Sequence, residues 1–197
     1  MRQPRVTADE VVRAAADLLA TQGSAALSAR RLATQLGTST MTVYTHFGSM
    51  TDLVRAVVAE GFRQLDLHLE TVPVTDDPRA DLVAVARAYR ANGLENPQLY
   101  AVMFGGIAGD SSPLTPDDRR VGENSLTRLR DAAQRAVDAG LLAPESNPWE
   151  HTRRMWAVAH GFVSLELAGL LGSPDRVEAS FVAVVEAFLA NPAAEPG

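Results

Sequence analysis

The spacing of apolar residues is the feature that most limits the fold of this 197-residue chain. Between breaks rich in glycine, proline and aspartate, apolar side chains recur every three or four positions, the period of a helix with one buried face. No short run alternates cleanly between apolar and polar residues, as a half-exposed β-strand would. The pattern therefore predicts an all-α protein of about nine helices.

A pair of short helices is predicted near the N-terminus. Ser28 can cap a helix that ends at Gly37, and residues 38–40 offer a cap for the next one. Gly37 permits the left-handed backbone of a tight turn. Two short helices joined in this way form a helix-turn-helix. The apolar residues expected to anchor the pair are Leu32, Ala33, Leu36, Val43 and Phe47.

The second helix of the pair has an outer face suited to nucleic acid. Its expected exposed residues are Thr40, Met41, Thr42, Thr45 and His46. This face is rich in hydroxyl groups and lacks carboxylates, which would repel phosphate. Hydroxyls can bond base edges or phosphate oxygens, and an apolar group can rest on a thymine methyl. A recognition helix needs such a face in the major groove of DNA.

The charge distribution permits this interpretation. The chain has a formal net charge of −6, but residues 1–60 hold 6 arginines against 5 acidic residues, whereas residues 61–197 hold 12 against 19. The acidity therefore belongs to the second part of the chain. This charge distribution allows DNA binding by the N-terminal part of the chain but does not require it.

The helix-turn-helix segment resembles the N-terminal domain of the TetR family of transcriptional regulators over about residues 7–62. The family pattern runs Arg-x-hydrophobic-Ala-x-x-hydrophobic-Gly-hydrophobic-Ser and then Tyr-x-His-Phe. The matching residues of this chain are Arg30, Leu32, Ala33, Gly37, Ser39, Tyr44, His46 and Phe47. The resemblance implies a homodimeric regulator, more often a repressor than an activator. It would be released from a near-palindromic operator in double-stranded DNA by a small-molecule effector.

The resemblance also implies which residues contact DNA. The predicted set is Arg30, Thr38, Ser39, Thr40, Met41, Thr42, Tyr44, Thr45, His46 and Ser49. The residues expected to face bases are Thr40, Met41, Thr42 and Thr45. Those expected to bind phosphates are Tyr44, His46 and Ser49, and Arg30 would reach either. Two alternatives remain open: Tyr44 as a packing residue with a solvated hydroxyl, and His46 as a cation favoured by the helix dipole.

One position departs from the family pattern. The family usually has a basic residue, most often lysine, after the position of Ser49, where this chain has Met50. The phosphate contact is then lost or taken over by another cation, for which the candidates are Arg5, Arg30, Arg31 and Arg55. This departure motivates a second hypothesis, a dimeric small-molecule-binding or interaction protein with a weakened DNA-binding function.

The second part of the chain resembles the sensor domain called WHG, through Trp156, His160-Gly161 and Leu165-Glu166. This resemblance implies a fold rather than a ligand. The candidate ligand-binding residues are Tyr89, Tyr100, Met103, Phe104, Arg128, Trp156 and His160. Aromatic and methionine side chains around a few polar groups suit a largely apolar effector. The alternative is that they are core residues, with His160 a hydrogen-bonded core histidine.

A dimer interface is expected at the C-terminal end. A helix over about 148–171 is apolar nearly all round, so two sides of it must be covered. The last helix, at about 175–190, has a matching stripe, and two helices from each protomer can form a two-fold symmetric four-helix interface. The candidate contacts are Phe162, Leu165, Leu170, Phe181, Val184 and Phe188.

These expectations define the domain organisation. The predicted parts are a flexible N-terminal arm over 1–6, the helix-turn-helix domain over 7–48, a connecting helix over 49–70, a ligand-binding and dimerisation domain over 71–190 and a disordered tail over 191–197.

The sequence gives no indication of an enzyme. The chain has no cysteine and no lysine, which excludes thiolate metal sites, cysteine nucleophiles and lysine Schiff bases. His151, His160 and Glu166 lack the spacing that brings metal ligands onto one helical face. The glycine-rich residues 105–109 follow no strand and fit no phosphate-binding fingerprint. We therefore predict no catalytic residue, metal site or cofactor.

No membrane segment is expected either. The N-terminus lacks the charged and apolar regions of a signal sequence. The most apolar stretch, residues 155–171, contains His160 and Glu166 and is shorter than the roughly 20 residues that a membrane-spanning helix needs. The expected location is cytoplasmic.

Overall fold

The computed structural model describes residues 6–104, 116–145, 147 and 149–189. Within these ranges the chain forms ten α-helices and no β-strand, which confirms the all-α prediction. The helices are α1 (Ala8–Gln22), α2 (Ala29–Gln35), α3 (Thr40–Phe47), α4 (Met50–Glu70), α5 (Pro78–Glu95), α6 (Pro97–Phe104), α7 (Pro116–Ser125), α8 (Thr127–Asp138), α9 (Trp149–Leu167) and α10 (Pro174–Leu189). The predicted tail, the glycine-rich residues 105–109 and residues 1–5 of the predicted arm lie outside the described residues.

Helix α1 begins with the capping box that the sequence contains. The Thr7 hydroxyl accepts a hydrogen bond from the Glu10 amide at 3.3 Å, and the Glu10 carboxylate accepts one from the Thr7 amide at 2.8 Å. The hydrogen bonds from the Thr7 amide and hydroxyl hold the pKa of Glu10 below its usual value. Two backbone donors at the helix end are thereby satisfied, which fixes where α1 starts.

Two helix limits differ from the sequence prediction. Apolar spacing predicts one helix over about 119–139, but this block forms two helices, because the chain breaks at the buried residue Leu126. The helix predicted at 148–171 ends at Leu167, because Gly169 takes a positive φ of 71°. The Leu170 amide then donates to the carbonyl of Leu165 at 3.0 Å, the bonding of a glycine-terminated helix.

The chain divides into two compact units. Unit 1 comprises residues 1–64 and 96–122, and unit 2 comprises residues 65–95 and 123–197. In unit 1, α1 packs against α6, and α2 packs against α3. Its core includes Val11, Ala15, Leu18, Leu32, Val43, Leu53, Val57 and Val102.

Helix α5 is the centre of unit 2 and packs against α8, α9 and α10. The core there includes Leu82, Ala86, Leu129, Ala133, Val163, Val177, Phe181 and Val185. The Arg90 guanidinium on α5 reinforces this packing with two parallel hydrogen bonds to Glu166 of α9, at 2.6 and 2.7 Å, and a further bond to Glu178 of α10. One arginine therefore joins three helices.

A second polar cluster fixes the loop before α5. The buried Asp81 carboxylate accepts hydrogen bonds from the Thr75 amide at 2.9 Å and the Thr75 hydroxyl at 2.6 Å, and it pairs with Arg135 of α8. Burial alone would raise the pKa of Asp81, but the bonds from Thr75 and Arg135 outweigh it and lower the pKa. The loop is thus tied to α8 through an ionised carboxylate.

Candidate functional site

The turn between α2 and α3 forms as the sequence predicts. Gly37 has a φ of 61°, and the Thr38 amide donates to the carbonyl of Ala33 at 2.9 Å, which closes the end of α2. The Ser39 hydroxyl then accepts a hydrogen bond from the Thr42 amide at 3.3 Å and caps α3. The two short helices thus form a helix-turn-helix.

Helix α3 packs against the core of unit 1 through few side chains. Val43 is 1% exposed, and the half-buried Phe47 packs against the core of unit 1. Met41 is 70% exposed and Tyr44 is 45% exposed, and Thr40 and Thr45 are exposed as well. Half of the residues of α3 therefore present exposed side chains.

Thr42 is less exposed than the sequence suggests, because its hydroxyl joins a local network. The Thr38 hydroxyl donates to the Thr42 hydroxyl at 2.9 Å, and the hydroxyls of Thr42 and Ser39 are 3.2 Å apart. The Thr45 hydroxyl donates to the Met41 carbonyl at 2.7 Å. The hydroxyls of the turn and helix are therefore pre-ordered by the protein.

His46 is also half-buried, although an exposed position is expected from the sequence. Its Nε2 lies 3.0 Å from the Val6 carbonyl oxygen, and its ring lies against that of Phe47 with centroids 6.0 Å apart. Nε2 must carry a proton to bond a carbonyl. His46 thus connects the end of α3 to the segment before α1, and Nδ1 is the ring nitrogen left for another partner.

Ser49 precedes α4 and caps its first turn. Its hydroxyl accepts from the Asp52 amide at 3.0 Å and donates to the Asp52 carboxylate at 2.6 Å. Asp52 also pairs with Arg55 at 3.2 Å. Met50, between them, is half-buried and packs against the core of unit 1. The Ser49 proton is therefore already engaged by a carboxylate.

The basic residues near the helix-turn-helix differ in their availability. The Arg31 guanidinium donates to Gln22 at 2.6 Å, and that of Arg55 bonds Asp52. Arg30 is exposed, and its guanidinium has no bonding partner among the described residues. Arg5 lies outside the described residues. Arg30 is thus the free cation on the described part of this face.

The predicted ligand-binding residues fall into both units. Tyr100, Met103 and Phe104 belong to unit 1, where the rings of Tyr100 and Phe104 have centroids 4.8 Å apart. Phe104 also meets Phe62 edge-on at 6.2 Å. The Met103 side chain lies over Gly61 of α4, where a Cβ would overlap it. In unit 1 these residues make core contacts.

Unit 2 contains a narrow apolar cavity that is partly open to solvent and has room for about one water molecule as it stands. Its lining comes from five helices, and the residues are Leu69, Val85, Ala86, Tyr89, Leu126, Leu129, Met155, Val158, Ala159, Val184, Val185 and Phe188. Tyr89 is the predicted ligand residue in this lining. The Trp156 indole adjoins it and donates a hydrogen bond to the Tyr89 hydroxyl at 3.0 Å.

The other two candidates in unit 2 lie outside that lining. The His160 ring is 6.4 Å from that of Trp156, its Nε2 is 3.4 Å from the Ser164 hydroxyl, and burial lowers its pKa. Arg128 is exposed on α8. Sequence reasoning missed the aliphatic lining residues, because helical periodicity tells which face is buried but not which faces enclose a space.

The predicted dimer contacts have unequal exposure. Leu165, Leu170 and Val184 are exposed, and Phe162 and Phe188 are half-buried. Phe181 is fully buried within unit 2, where it meets Phe162 edge-on at 5.4 Å and lies 5.8 Å from the Arg90 guanidinium. Phe181 therefore packs inside its own chain and has no surface for a partner. Leu170 lies beyond the end of α9.

The described residues include no helix with the length and apolar character to cross a bilayer. In the same residues, no three histidine or acidic side chains cluster as metal ligands would.

Two protein-family profiles match the chain. Residues 11–57 match the profile described as bacterial regulatory proteins, tetR family. Residues 82–188 match the profile described as tetracyclin repressor-like, C-terminal domain. The first match contains α2, α3 and the turn between them, and the second contains most of unit 2.

Known proteins are similar along most of their length. An uncharacterized HTH-type transcriptional regulator of Mycobacterium tuberculosis is 28% identical over 174 residues, which cover 88% of this chain and 76% of the relative. A Rhodococcus structure of unknown function has a TM-score of 0.79 at 25% identity and covers 98% of this chain and 100% of its own.

Two further structures share the fold. The TetR family transcriptional regulator PfmR of Thermus thermophilus has a TM-score of 0.74 at 23% identity, covering 98% of this chain and 99% of its own. The fatty acid degradation regulator FadR of Bacillus halodurans has a TM-score of 0.78 at 15% identity, covering 96% of each chain. At these identities the likeness concerns the fold alone.

Proposed function

Because the chain belongs to the TetR family of bacterial regulatory proteins, we propose that it is a sequence-specific repressor that a small-molecule ligand releases from a near-palindromic operator. Regulators of this family bind operator DNA and act as homodimers, and this similarity supports a DNA-binding regulator rather than an enzyme. The observation that carries the proposal is the outward face of α3. Val43 anchors this helix to the core, and the Ser39 hydroxyl caps its N-terminus.

The proposed DNA contacts follow from exposure and bonding. Met41 and Tyr44 are the most prominent apolar surfaces of α3, and a methionine side chain suits a thymine methyl. The Tyr44 hydroxyl has no partner among the described residues, so it can bond a phosphate. Arg30 supplies a free guanidinium for either a phosphate or a base edge. Thr42 and Ser39 would contact DNA through hydroxyls that the turn already orients.

We propose that α9 and α10 form the dimer interface. The exposed positions on these helices are mainly small or apolar and include Ala157, Ser164, Leu165, Ala179, Ala183, Val184 and Ala187. Small side chains allow helices of two protomers to approach closely, and two helices from each would pair about a two-fold axis. Two copies of α3 would then meet major grooves about 34 Å apart.

We propose that residues 7–48 bind DNA, that the helix over 49–70 connects the two parts, and that residues 71–190 bind ligand and dimerise. The compact units differ from this division in one respect, because residues 96–122 pack with unit 1. The similarity of Trp156 and His160-Gly161 to the WHG type of sensor domain belongs to the same proposal. The contact between Trp156 and Tyr89 beside the cavity supports a sensing role for this motif.

The first experiment measures DNA binding by fluorescence anisotropy on the DNA upstream of the protein's own gene. The double variant Thr42→Ala/Tyr44→Ala should lose at least tenfold in affinity, because it removes two groups of the α3 face. The control Thr71→Ala/Val74→Ala changes exposed residues of unit 2 and should bind normally. Unchanged affinity in the α3 variant would remove the recognition-helix assignment.

Salt dependence tests for phosphate contacts, and a comparison of DNA sequences at one salt concentration tests for specificity. The affinity for the operator should fall steeply with salt, because each neutralised phosphate releases counterions. A tenfold or greater preference for the operator over unrelated DNA is expected at the same salt concentration. Binding indifferent to both sequence and salt would contradict the proposal.

A ligand and the operator should weaken each other's binding. If the ligand favours one spacing of the two recognition helices and DNA favours another, the two affinities change by the same factor. Titration of DNA at saturating ligand, and of ligand at saturating DNA, checks this equality. An operator affinity that stays constant with a proven ligand would contradict release.

A second function rests on the region around Ser49. Met50 is apolar where the family pattern usually has a basic residue, and the Ser49 hydroxyl is engaged by Asp52, so we expect the phosphate contact here to be weak. This favours a dimeric small-molecule-binding protein with reduced DNA affinity as the alternative. The variant Met50→Arg distinguishes the two functions. In a DNA-binding regulator, the variant should bind its operator more tightly, and the salt dependence of that affinity should steepen by the amount expected for about one additional phosphate contact. A protein with no DNA function gains only nonspecific binding.

A further inference from the structure

Three side chains with methyl groups lie side by side on the outward face of α3. At about 100° per residue, Met41, Thr45 and Thr42 follow one another within an arc of about 100°. The buried Val43 lies on the opposite side of the helix. Met41 and Thr45 are exposed, and Thr42 is half-buried. We call these three residues the methyl patch, and it is the part of α3 that would lie deepest in a major groove.

The hydroxyl proton of Thr45 is used within the helix. It is donated to the Met41 carbonyl, with the two oxygens 2.7 Å apart. A threonine hydroxyl has one proton, so Thr45 keeps only oxygen lone pairs and its methyl group for another partner. At this position DNA would therefore meet a methyl group and a hydrogen-bond acceptor, but no donor.

The hydroxyl of Thr42 belongs to a chain of hydroxyls. The Thr38 hydroxyl donates to it at 2.9 Å, and it lies 3.2 Å from the hydroxyl of Ser39. Because Ser39 is exposed and Thr42 is half-buried, the favoured order runs from Thr38 through Thr42 to Ser39. The Ser39 proton then remains for a phosphate, and successive bonds of this kind strengthen one another. In this order Thr42, like Thr45, has no proton left for a base.

Thr38 makes this chain of hydroxyls particular to the present sequence. The family pattern has a hydrophobic residue between the positions of Gly37 and Ser39, and such a side chain could donate no hydrogen bond to Thr42. Thr38 is therefore a positioning residue that turns the Thr42 proton away from the bases.

The free hydroxyl groups of α3 lie on the other side of Met41. Thr40 and Tyr44 are exposed there, and neither hydroxyl has a bonding partner among the described residues. Both can donate to phosphates. Methyl groups and free hydroxyl donors therefore occupy different sides of the helix.

The base pairs of DNA differ in what they offer to such a surface. In the major groove guanine presents two acceptors, which require donors, whereas thymine presents its C5 methyl group next to the amine of the paired adenine. The methyl patch has no hydroxyl proton left for guanine. It can pack against a thymine methyl group, and its threonine oxygens can accept a hydrogen bond from the adenine amine.

We propose that the methyl patch recognises thymine methyl groups, so that A·T base pairs face it in each half-site of the operator. The hydroxyl of Thr42 acts on DNA through Ser39, which donates to a phosphate, and makes no direct bond to a base. The inference rests on the proposed function, because it concerns the DNA that α3 binds.

The first step of the test identifies a DNA sequence that the protein binds. The full-length protein selects duplexes from a random-sequence library, and the enriched sequence is synthesised with uracil in place of thymine, one position of each half-site at a time. Uracil lacks only the C5 methyl group. At one or more positions, the uracil duplex should bind about fivefold more weakly in fluorescence anisotropy, because two methyl contacts are lost.

Matched variants of Thr42 and Thr45 separate the methyl group from the hydroxyl. The measured quantity is the ratio of the affinities for the thymine and uracil duplexes, which a general weakening of binding leaves unchanged. Thr42→Ser and Thr45→Ser keep the hydroxyl and lose the methyl group, so the ratio should fall towards one at the contacted position. Thr42→Val and Thr45→Val keep a methyl group and lose the hydroxyl, so the ratio should stay that of the unmodified protein.

Thr71→Ser is the control variant. Thr71 is exposed in unit 2, and its hydroxyl donates to the His68 carbonyl at 2.7 Å, the same kind of bond that Thr45 makes. This variant should keep the full ratio at every position. Circular dichroism establishes that the variants are folded, and a folding defect at Thr42 or Thr45 leaves the pair of variants at the other position decisive.

The proposal is overturned if uracil is bound as tightly as thymine at every position, or if the valine variants lose the preference for thymine while the serine variants keep it. In both cases the selected sequence still demonstrates specific DNA binding, so the proposed function stands. A library without an enriched sequence would instead contradict the DNA-binding function itself, and this inference with it.

Discussion

The Ser49 hydroxyl donates a hydrogen bond to the Asp52 carboxylate across 2.6 Å at the start of α4. The predicted phosphate contact of this region is thus occupied by an acidic group of the protein itself. A phosphate approaching Ser49 would meet the negative charge of Asp52, which Arg55 neutralises only in part because both side chains are largely solvated. With Ser49 at a phosphate as proposed, we expect this arrangement to lower operator affinity.

The variant Asp52→Asn should therefore bind the operator more tightly. Loss of one negative charge near the phosphates is expected to raise affinity about three- to tenfold at low salt, and the gain should shrink as salt screens the interaction. Anisotropy titrations at several salt concentrations measure it. Asp138→Asn, an exposed change in unit 2, is the matched control, and equal affinities for the two variants would contradict the prediction.

The variant Arg90→Lys should destabilise unit 2. Lysine cannot make the parallel bonds to Glu166 and reach Glu178 as well, so about 2 kcal/mol of unfolding free energy should be lost. Arg87→Lys changes an exposed pair and should cost less than about 0.5 kcal/mol. Urea denaturation followed by circular dichroism compares them, and a smaller loss for Arg90→Lys than for Arg87→Lys would refute the role of the three-helix bond.

The variant Asp81→Asn should show a pH-dependent loss of stability. The folded state lowers the pKa of Asp81 below its ordinary value of 3.8, so ionised Asp81 stabilises the fold above that value and this contribution disappears as pH falls through the folded pKa. We expect a deficit of about 3 kcal/mol at pH 7 that stays constant to about pH 4 and then narrows.

Denaturation curves of this variant and the unmodified protein between pH 7 and pH 3 test the sign. Asp131→Asn, which changes an exposed carboxylate on α8, should show a much smaller deficit throughout. A deficit for Asp81→Asn that widens towards acid would mean that Asp81 is protonated in the folded protein.

The variant Ala183→Arg should separate the protomers. Ala183 is exposed on α10, so a single chain tolerates arginine there, whereas a helix packed against this face does not. Analytical ultracentrifugation should show a dimer for the unmodified protein and for the control Ala80→Arg, and a monomer for Ala183→Arg. The monomer should also lose most of its operator affinity, since each protomer then reads one half-site. A dimer in all three samples would mean that the dimer interface does not include Ala183.

Local signals in the sequence predict local structure well. The pair Thr7 and Glu10 fixes the start of α1, and Ser28, Gly37 and Ser39 fix the limits of the helix-turn-helix, because each acts on backbone groups within a few residues. Gly169 is a similar local signal for the end of α9, and the predicted helix over about 148–171 overlooks it. The positive φ of the glycine decides the limit.

Long-range arrangement is not encoded in periodicity. Met103 has the same apolar character as Met155, yet Met103 lies over Gly61 in unit 1 and Met155 lines the cavity of unit 2. His46 bonds the Val6 carbonyl, forty positions earlier in the chain, and no local pattern announces that contact. Only the packed structure determines which buried faces meet and where they leave a space.

The shallow anchoring of α3 has a consequence for how this protein can diverge. Val43 alone among its eight residues is fully buried, so replacements at most other positions leave the folded core intact. With α3 reading the operator as proposed, a descendant of this gene can acquire a new target sequence by a handful of exchanges on one short segment, without altering the core of either unit.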